Sequence, residues 1–202
     1  MIDKKLKKQL EFAVEIDKMK TILRRSAIIS EPRRENNAEH SWHFATMAML
    51  LYEYAADDRV DLFRVLKMAL IHDLVEIYAG DTFAFDKQAN IGKQQREMEA
   101  ADKIFGMLPK EQGEEYRALW EEFDEMKTPD SMYAAAIDRL QPFLLNHNTE
   151  GHTWKLGNVT KDQVYARIGV VEKALSDADV NPVIDDIVSR LSKELDAKIR
   201  DN

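Results

Sequence analysis

Residues 61–79 are the most apolar stretch of the chain, and in their middle stand an imidazole and a carboxylate, His72 and Asp73. The surrounding Leu62, Val65, Met68, Leu70, Leu74 and Ile77 make the segment apolar nearly all round, so one continuous, deeply buried helix is expected here. Burying the two polar groups is costly unless they are hydrogen-bonded, paired or coordinating a cation. A divalent metal meets that requirement most simply.

The rest of the chain agrees with a helical core. Only seven glycines and five prolines interrupt 202 residues, while Ala, Leu, Glu, Lys and Met abound, which favours long helices over many short strands. The expected fold class is all-α, one bundle-like domain over residues 1–202 built from about seven to nine helices. Helical spacing places further helices at 3–24, 38–56, 91–108, 111–126, 130–146 and 161–177, with a last one opening at Asn181-Pro182. Gly80-Asp81 stops the central helix and starts a loop. Pro142 has no N–H to give the carbonyl of Asp138, so a bend is expected there.

No cysteine is present, which excludes disulfides and thiolate chemistry and leaves His and carboxylates as the metal donors. The formal net charge of −8 argues against a broad grip on nucleic acid. No run approaches about 18 apolar residues and no signal-peptide core is seen, so a cytoplasmic protein that leaves membranes alone is expected.

His40, His72, Asp73 and Asp138, drawn from three apolar helices, meet the description of a metal site. Imidazoles with carboxylates suit Mn, Fe, Co, Ni or Zn better than Ca or Mg, and two Asp charges neutralise one divalent ion. Glu76, three residues after Asp73, falls on the same helical face and can manage a proton above the metal. Arg25 is the candidate cation for an anionic substrate, because a guanidinium forks phosphate oxygens, and Asp81 can bind a substrate hydroxyl. Arg24, Arg33 and Arg34 read as solvated charges, and Met47, Met49, Met68 and Met132 as core filling. His43 reads as packing or as a neighbour of the site, and the polar run from Asn146 through His147 and His152 to Trp154 either rims a pocket or caps a helix.

Glu39-His40-Ser41, His72-Asp73 and Asp138 together resemble the signature of the HD-domain metal-dependent phosphohydrolase superfamily. The stretch His72-Asp-Leu-Val-Glu-Ile-Tyr-Ala-Gly-Asp81 is similar to that of its bacterial 5'-deoxynucleotidase-like branch, over roughly residues 20–145, with the helices of 160–202 packing outside that core. The resemblance implies the HD fold, one transition metal on His40, His72, Asp73 and Asp138, catalytic Glu76 and Asp81, and substrate contacts from Arg25, Asp81 and Thr82. It implies release of phosphate from a nucleoside 5'-monophosphate by a metal-activated water, in a cytoplasmic homodimer. The alternatives are another phosphorylated nucleotide, pyrophosphorylated or cyclic, or a binding protein whose metal staples the fold. The branch has Trp where this chain has Ser26, which removes the residue linked to rejecting a ribose 2'-hydroxyl. No histidine lies between Asp73 and Asp138, so one metal is expected.

Overall fold

A computed structural model describes residues 3–175. The helix expected to open at Asn181-Pro182 lies outside those residues. The described chain is helical apart from one two-stranded hairpin.

Helix α1 spans Lys4–Glu15 and is capped by Asp3, whose carboxylate accepts from the Lys5 N–H at 3.2 Å. The helical spacing of 3–24 does not survive beyond it. The chain tightens into a 3-10 segment, Ile16–Thr21, and then extends as β1, Leu23–Ala27, antiparallel to β2, Arg34–Asn36. Leu23 and Ala27 stand four positions apart in β1 while their partners Asn36 and Arg34 stand only two apart in β2, so the strand is bulged. The Arg34 guanidinium clasps the carbonyls of Leu23 and Arg24, a long-range restraint that local periodicity does not carry.

Helix α2, Asn37–Leu50, starts at a capping box: Asn36 accepts from the Glu39 N–H and Glu39 accepts from the Asn36 N–H, each at 3.0 Å. This fixes His40 in the first turn. The helix stops short of residue 56, giving way to a 3-10 turn at Tyr52–Tyr54. Met49, expected as core filling, is 52% exposed, and Trp42 is 67% exposed, whereas Phe44 and Ala48 are fully buried.

The expected helix over 61–79 is two helices. Helix α3, Leu62–Ile71, is capped by Asp61; α4, Glu76–Ala79, is one turn. Between them the hydrogen bonds shift to three-residue spacing, Leu74 N–H to Ile71 O at 3.1 Å and Glu76 N–H to Asp73 O at 3.0 Å. An all-round apolar segment has no polar face whose period could reveal the change. In such tightened turns residues three apart eclipse, which stacks Glu76 over Asp73.

Helices α5, Lys93–Phe105, and α6, Lys110–Glu125, pack together through Gly113, where an added Cβ would sit 2.5 Å from the Phe105 carbonyl oxygen. Gly113→Ala is therefore expected to lose about 1–3 kcal/mol, a fall of roughly 2–12 °C in a thermal melt. An unchanged melting temperature would refute the close approach. Helix α7, Pro129–Asn148, opens at a Thr128/Ser131 capping box and continues as a helix through Pro142. Tyr133 of α7 donates to the Ala48 carbonyl at 2.9 Å, tying α7 to α2. Helices α8, His152–Leu156, and α9, Lys161–Ala174, close one side of the core, α9 packing on α7. No helix of the described residues is long and apolar enough to cross a membrane.

Candidate metal centre and cavity

Three elements deliver the site. The first turn of α2 brings His40, the tightened turn after α3 brings His72 and Asp73, and the middle of α7 brings Asp138. His40 Nε2 lies 3.0 Å from Asp138 Oδ1 and 3.9 Å from Asp73 Oδ2; His72 Nε2 lies 3.2 Å from Asp73 Oδ1 and 3.7 Å from Asp138 Oδ1. Ligand atoms of His40, His72 and Asp73 all fall within 4.8 Å of one another, and all three residues are buried.

The donor chemistry fits a cation. His72 Nδ1 donates to the Ala69 carbonyl at 3.0 Å, so in the neutral ring Nε2 carries a lone pair; that atom is buried with no hydrogen-bond partner. A lone pair facing carboxylate oxygens is repulsive unless a proton or a metal ion stands between them. Two imidazole nitrogens and two carboxylates converging from three elements are a donor set that suits a divalent metal ion.

The local charges agree. Burial opposes the Asp73 carboxylate, yet His72 and Arg24 beside it hold its pKa well below the usual range. Asp138 is likewise held low against burial, by His40, His72 and Arg24. Glu76 goes the other way: burial and then the Asp73 charge push its carboxyl well above its ordinary value. Asn37 donates to it at 2.5 Å. Burial also raises Asp81, in the loop that leaves α4 through Gly80, whose φ of +77° suits a residue without a Cβ.

His72, Asp73, Glu76, Asp81 and Asp138 line a cavity of about 300 Å³, together with Arg24, Arg25, Ser26 and Thr82. Arg24, read from the sequence as a solvated charge, turns inward: its Nη1 lies 2.5 Å from Asp73 Oδ2 and its Nε 3.8 Å from Glu35 Oε2. Arg25 is more exposed and also lines a second hollow of about 920 Å³ next to the first. Asn146, Thr153 and Trp154 line the main cavity and His152 the second hollow, so part of the polar run after α7 does rim pockets. Glu122 does not line either hollow; it is held by Arg64 and Thr128. Arg24, Glu35, Asn37 and Gln141 were not singled out by the sequence. Helical spacing could have flagged two of them, since Asn37 lies three residues before His40 and Gln141 three after Asp138.

An all-α protein with a two-histidine, two-aspartate centre at the floor of a pocket is the class that fold and site define. The HD domain family profile matches residues 16–178, and the chain belongs to the HD-domain family. A solved structure described as a predicted metal-dependent phosphohydrolase from Magnetospirillum magnetotacticum MS-1 superposes with a TM-score of 0.88 at 46% identity, over 95% of this chain and 97% of that one. The 5'-deoxynucleotidase HDDC2 of Dictyostelium discoideum is 31% identical over 163 residues, 77% of this chain and 85% of that protein. The human protein of the same name is 28% identical over 136 residues, and the match spans 67% of this chain and 65% of that protein.

Proposed function

We propose that this protein is a metal-dependent phosphohydrolase, a phosphoric monoester hydrolase acting on nucleoside 5'-monophosphates. The observation that carries this reading is the buried, unpartnered Nε2 of His72 facing Asp73 and Asp138 beneath a cavity that also holds Glu76 and Asp81. The relatives named as 5'-deoxynucleotidases support the phosphomonoester.

His40, His72, Asp73 and Asp138 would hold the ion, which supplies Lewis acidity toward phosphoryl oxygen and water. Arg24 is engaged with Asp73, so its charge screens the site from beneath. Arg25 lines the cavity with a guanidinium that can fork an incoming phosphate, and Arg139 and Arg167 line the same cavity. Glu76, whose carboxyl is pushed up by burial and by Asp73, is placed to give a proton to the departing sugar oxygen. Asp81 and Thr82 stand at the loop where a sugar hydroxyl would be fixed.

Ser26 is buried and lines the cavity, and its small side chain leaves room for a ribose 2'-hydroxyl. Both ribo- and deoxyribonucleotides are therefore expected as substrates. Ser26→Trp is expected to lower kcat/KM for ribonucleotides by about 10-fold or more relative to deoxyribonucleotides, the order of one misplaced group in a pocket. An unmoved ratio would refute the assignment of that wall to the sugar.

The deciding experiment strips the protein with chelator, restores Mn, Co, Ni, Zn or Mg, and measures phosphate release from a panel of ribo- and deoxyribonucleoside 5'-monophosphates. Metal-restored release is expected. Tight metal binding with no release from any monophosphate would overturn the monoesterase and leave a diphosphate or diester substrate, or a binding protein.

A further inference from the structure

Behind the metal-facing atoms lies a buried relay with no direct part in the chemistry above. Gln141 is fully buried and all its hydrogen-bonding positions face protein: Oε1 is 3.1 Å from His40 Nδ1, and Nε2 is 2.6 Å from Glu35 Oε1 and 3.1 Å from His43 Nδ1. An amide can be turned end for end, and the neighbours decide which end is which. Above the value of about 7 to which burial raises it, Glu35 is a carboxylate that only accepts, so the NH2 faces Glu35. The carbonyl oxygen then faces His40 and can only accept, which puts the ring proton on Nδ1. What remains for His40 Nε2 is a lone pair aimed at the space shared with His72, Asp73 and Asp138. The same Glu35, 2% exposed, presents its other oxygen to Arg24 Nε at 3.8 Å, and Arg24 in turn holds Asp73 Oδ2 at 2.5 Å.

We infer that Glu35 and Gln141 are positioning residues: Glu35 fixes the orientation of the Gln141 amide, Gln141 fixes the metal-binding tautomer of His40, and Glu35 steadies Asp73 through Arg24. The inference rests on the metal-centre reading above. One carboxylate from β2 thereby orients ligands from two different elements, the first turn of α2 and the tightened turn after α3. The opposite amide orientation would place two acceptors against each other at Glu35 and turn His40 Nδ1 into an acceptor. The proton would then sit on Nε2, where the metal belongs.

The test reads Co2+ affinity by chelator competition and the visible absorption of the Co2+-loaded protein, alongside a thermal melt. Gln141→Leu is expected to weaken Co2+ binding by about 10- to 100-fold, the usual effect of losing a group that orients a ligand. Gln141→Glu keeps an acceptor for His40 but sets two carboxylates against each other, and a similar loss is expected. Adding Glu35→Gln to Gln141→Glu reverses the polarity of the pair: the amide at 35 donates, the carboxylate at 141 accepts, and binding recovers by about 10-fold over Gln141→Glu, short of wild type because the charge facing Arg24 is lost. A generic packing role would not produce that rescue. Wild-type affinity in Gln141→Leu, or a double variant no better than Gln141→Glu, overturns the relay. Wild-type protein that binds no Co2+ overturns the metal centre itself, a distinguishable failure. If Gln141→Leu does not fold, the comparison of Gln141→Glu with the double variant still decides.

Discussion

Replacing His72 by alanine is expected to abolish turnover and tight metal binding together. The imidazole is one of two neutral donors in the set, and its Nε2 has no other partner. The ion would supply Lewis acidity toward water and phosphoryl oxygen, and without it a fall in kcat/KM of more than about 1,000-fold is expected. Phosphate release and metal content by elemental analysis check this on the same sample. A metal-loaded, active His72→Ala protein would remove the centre from the mechanism. A companion result follows for wild-type protein. At a free metal concentration about 100 times Kd, the folded state gains about 2.7 kcal/mol, a rise of roughly 5–11 °C in melting temperature. The same titration should move the melt of His72→Ala far less.

Three of the residues that the sequence offered as ligands were legible because each contradicts its surroundings. His72 and Asp73 interrupt an apolar segment, and Asp138 sits among Ala136, Ile137 and Leu140. Such groups need a reason to be buried, and the structure brings them to one point with His40. The hairpin was illegible for the opposite reason. Leu6, Leu10, Met19 and Leu23 keep a helical spacing, but Leu6, Leu10 and Leu23 are about half exposed, so the apolar pattern does not report a buried face. What makes residues 23–27 a strand is pairing with residues 34–36 and the grip of Arg34, both set by tertiary structure.

Missing the strand concealed Arg24 and Glu35. In a helix, neighbouring arginines flanked by polar residues read as solvated; in a bulged strand both Arg24 and Arg25 line the cavity. Gln141 was hidden differently. A buried glutamine carries no signal until its three partners are known, and Glu35 is 106 residues away in sequence. The break between α3 and α4 left no periodic trace either, yet it matters to the chemistry, since the tightened turn sets Glu76 over Asp73, and burial and then the Asp73 charge raise its carboxyl.

That stacking gives the second large effect. Glu76→Gln preserves size and keeps an oxygen for Asn37 but cannot carry a proton to or from the reacting atoms. It is expected to lower kcat by about 100- to 10,000-fold while metal content and KM change little. A variant with near-wild-type kcat would assign proton transfer elsewhere. The substitution should also stabilise the metal-free protein. A carboxyl whose pKa is raised on folding binds more protons in the native state than in the unfolded one, so stability falls as pH rises from the ordinary value of 4.5 toward the raised folded value. At neutral pH the wild-type apoprotein bears that deficit, and a neutral amide does not. Glu76→Gln apoprotein is thus expected to melt higher than wild type at pH 7, with the gap closing as pH falls below 4.5. Equal melting temperatures at pH 7 would show that the buried carboxyl is compensated in the native state and is not held in reserve for proton transfer.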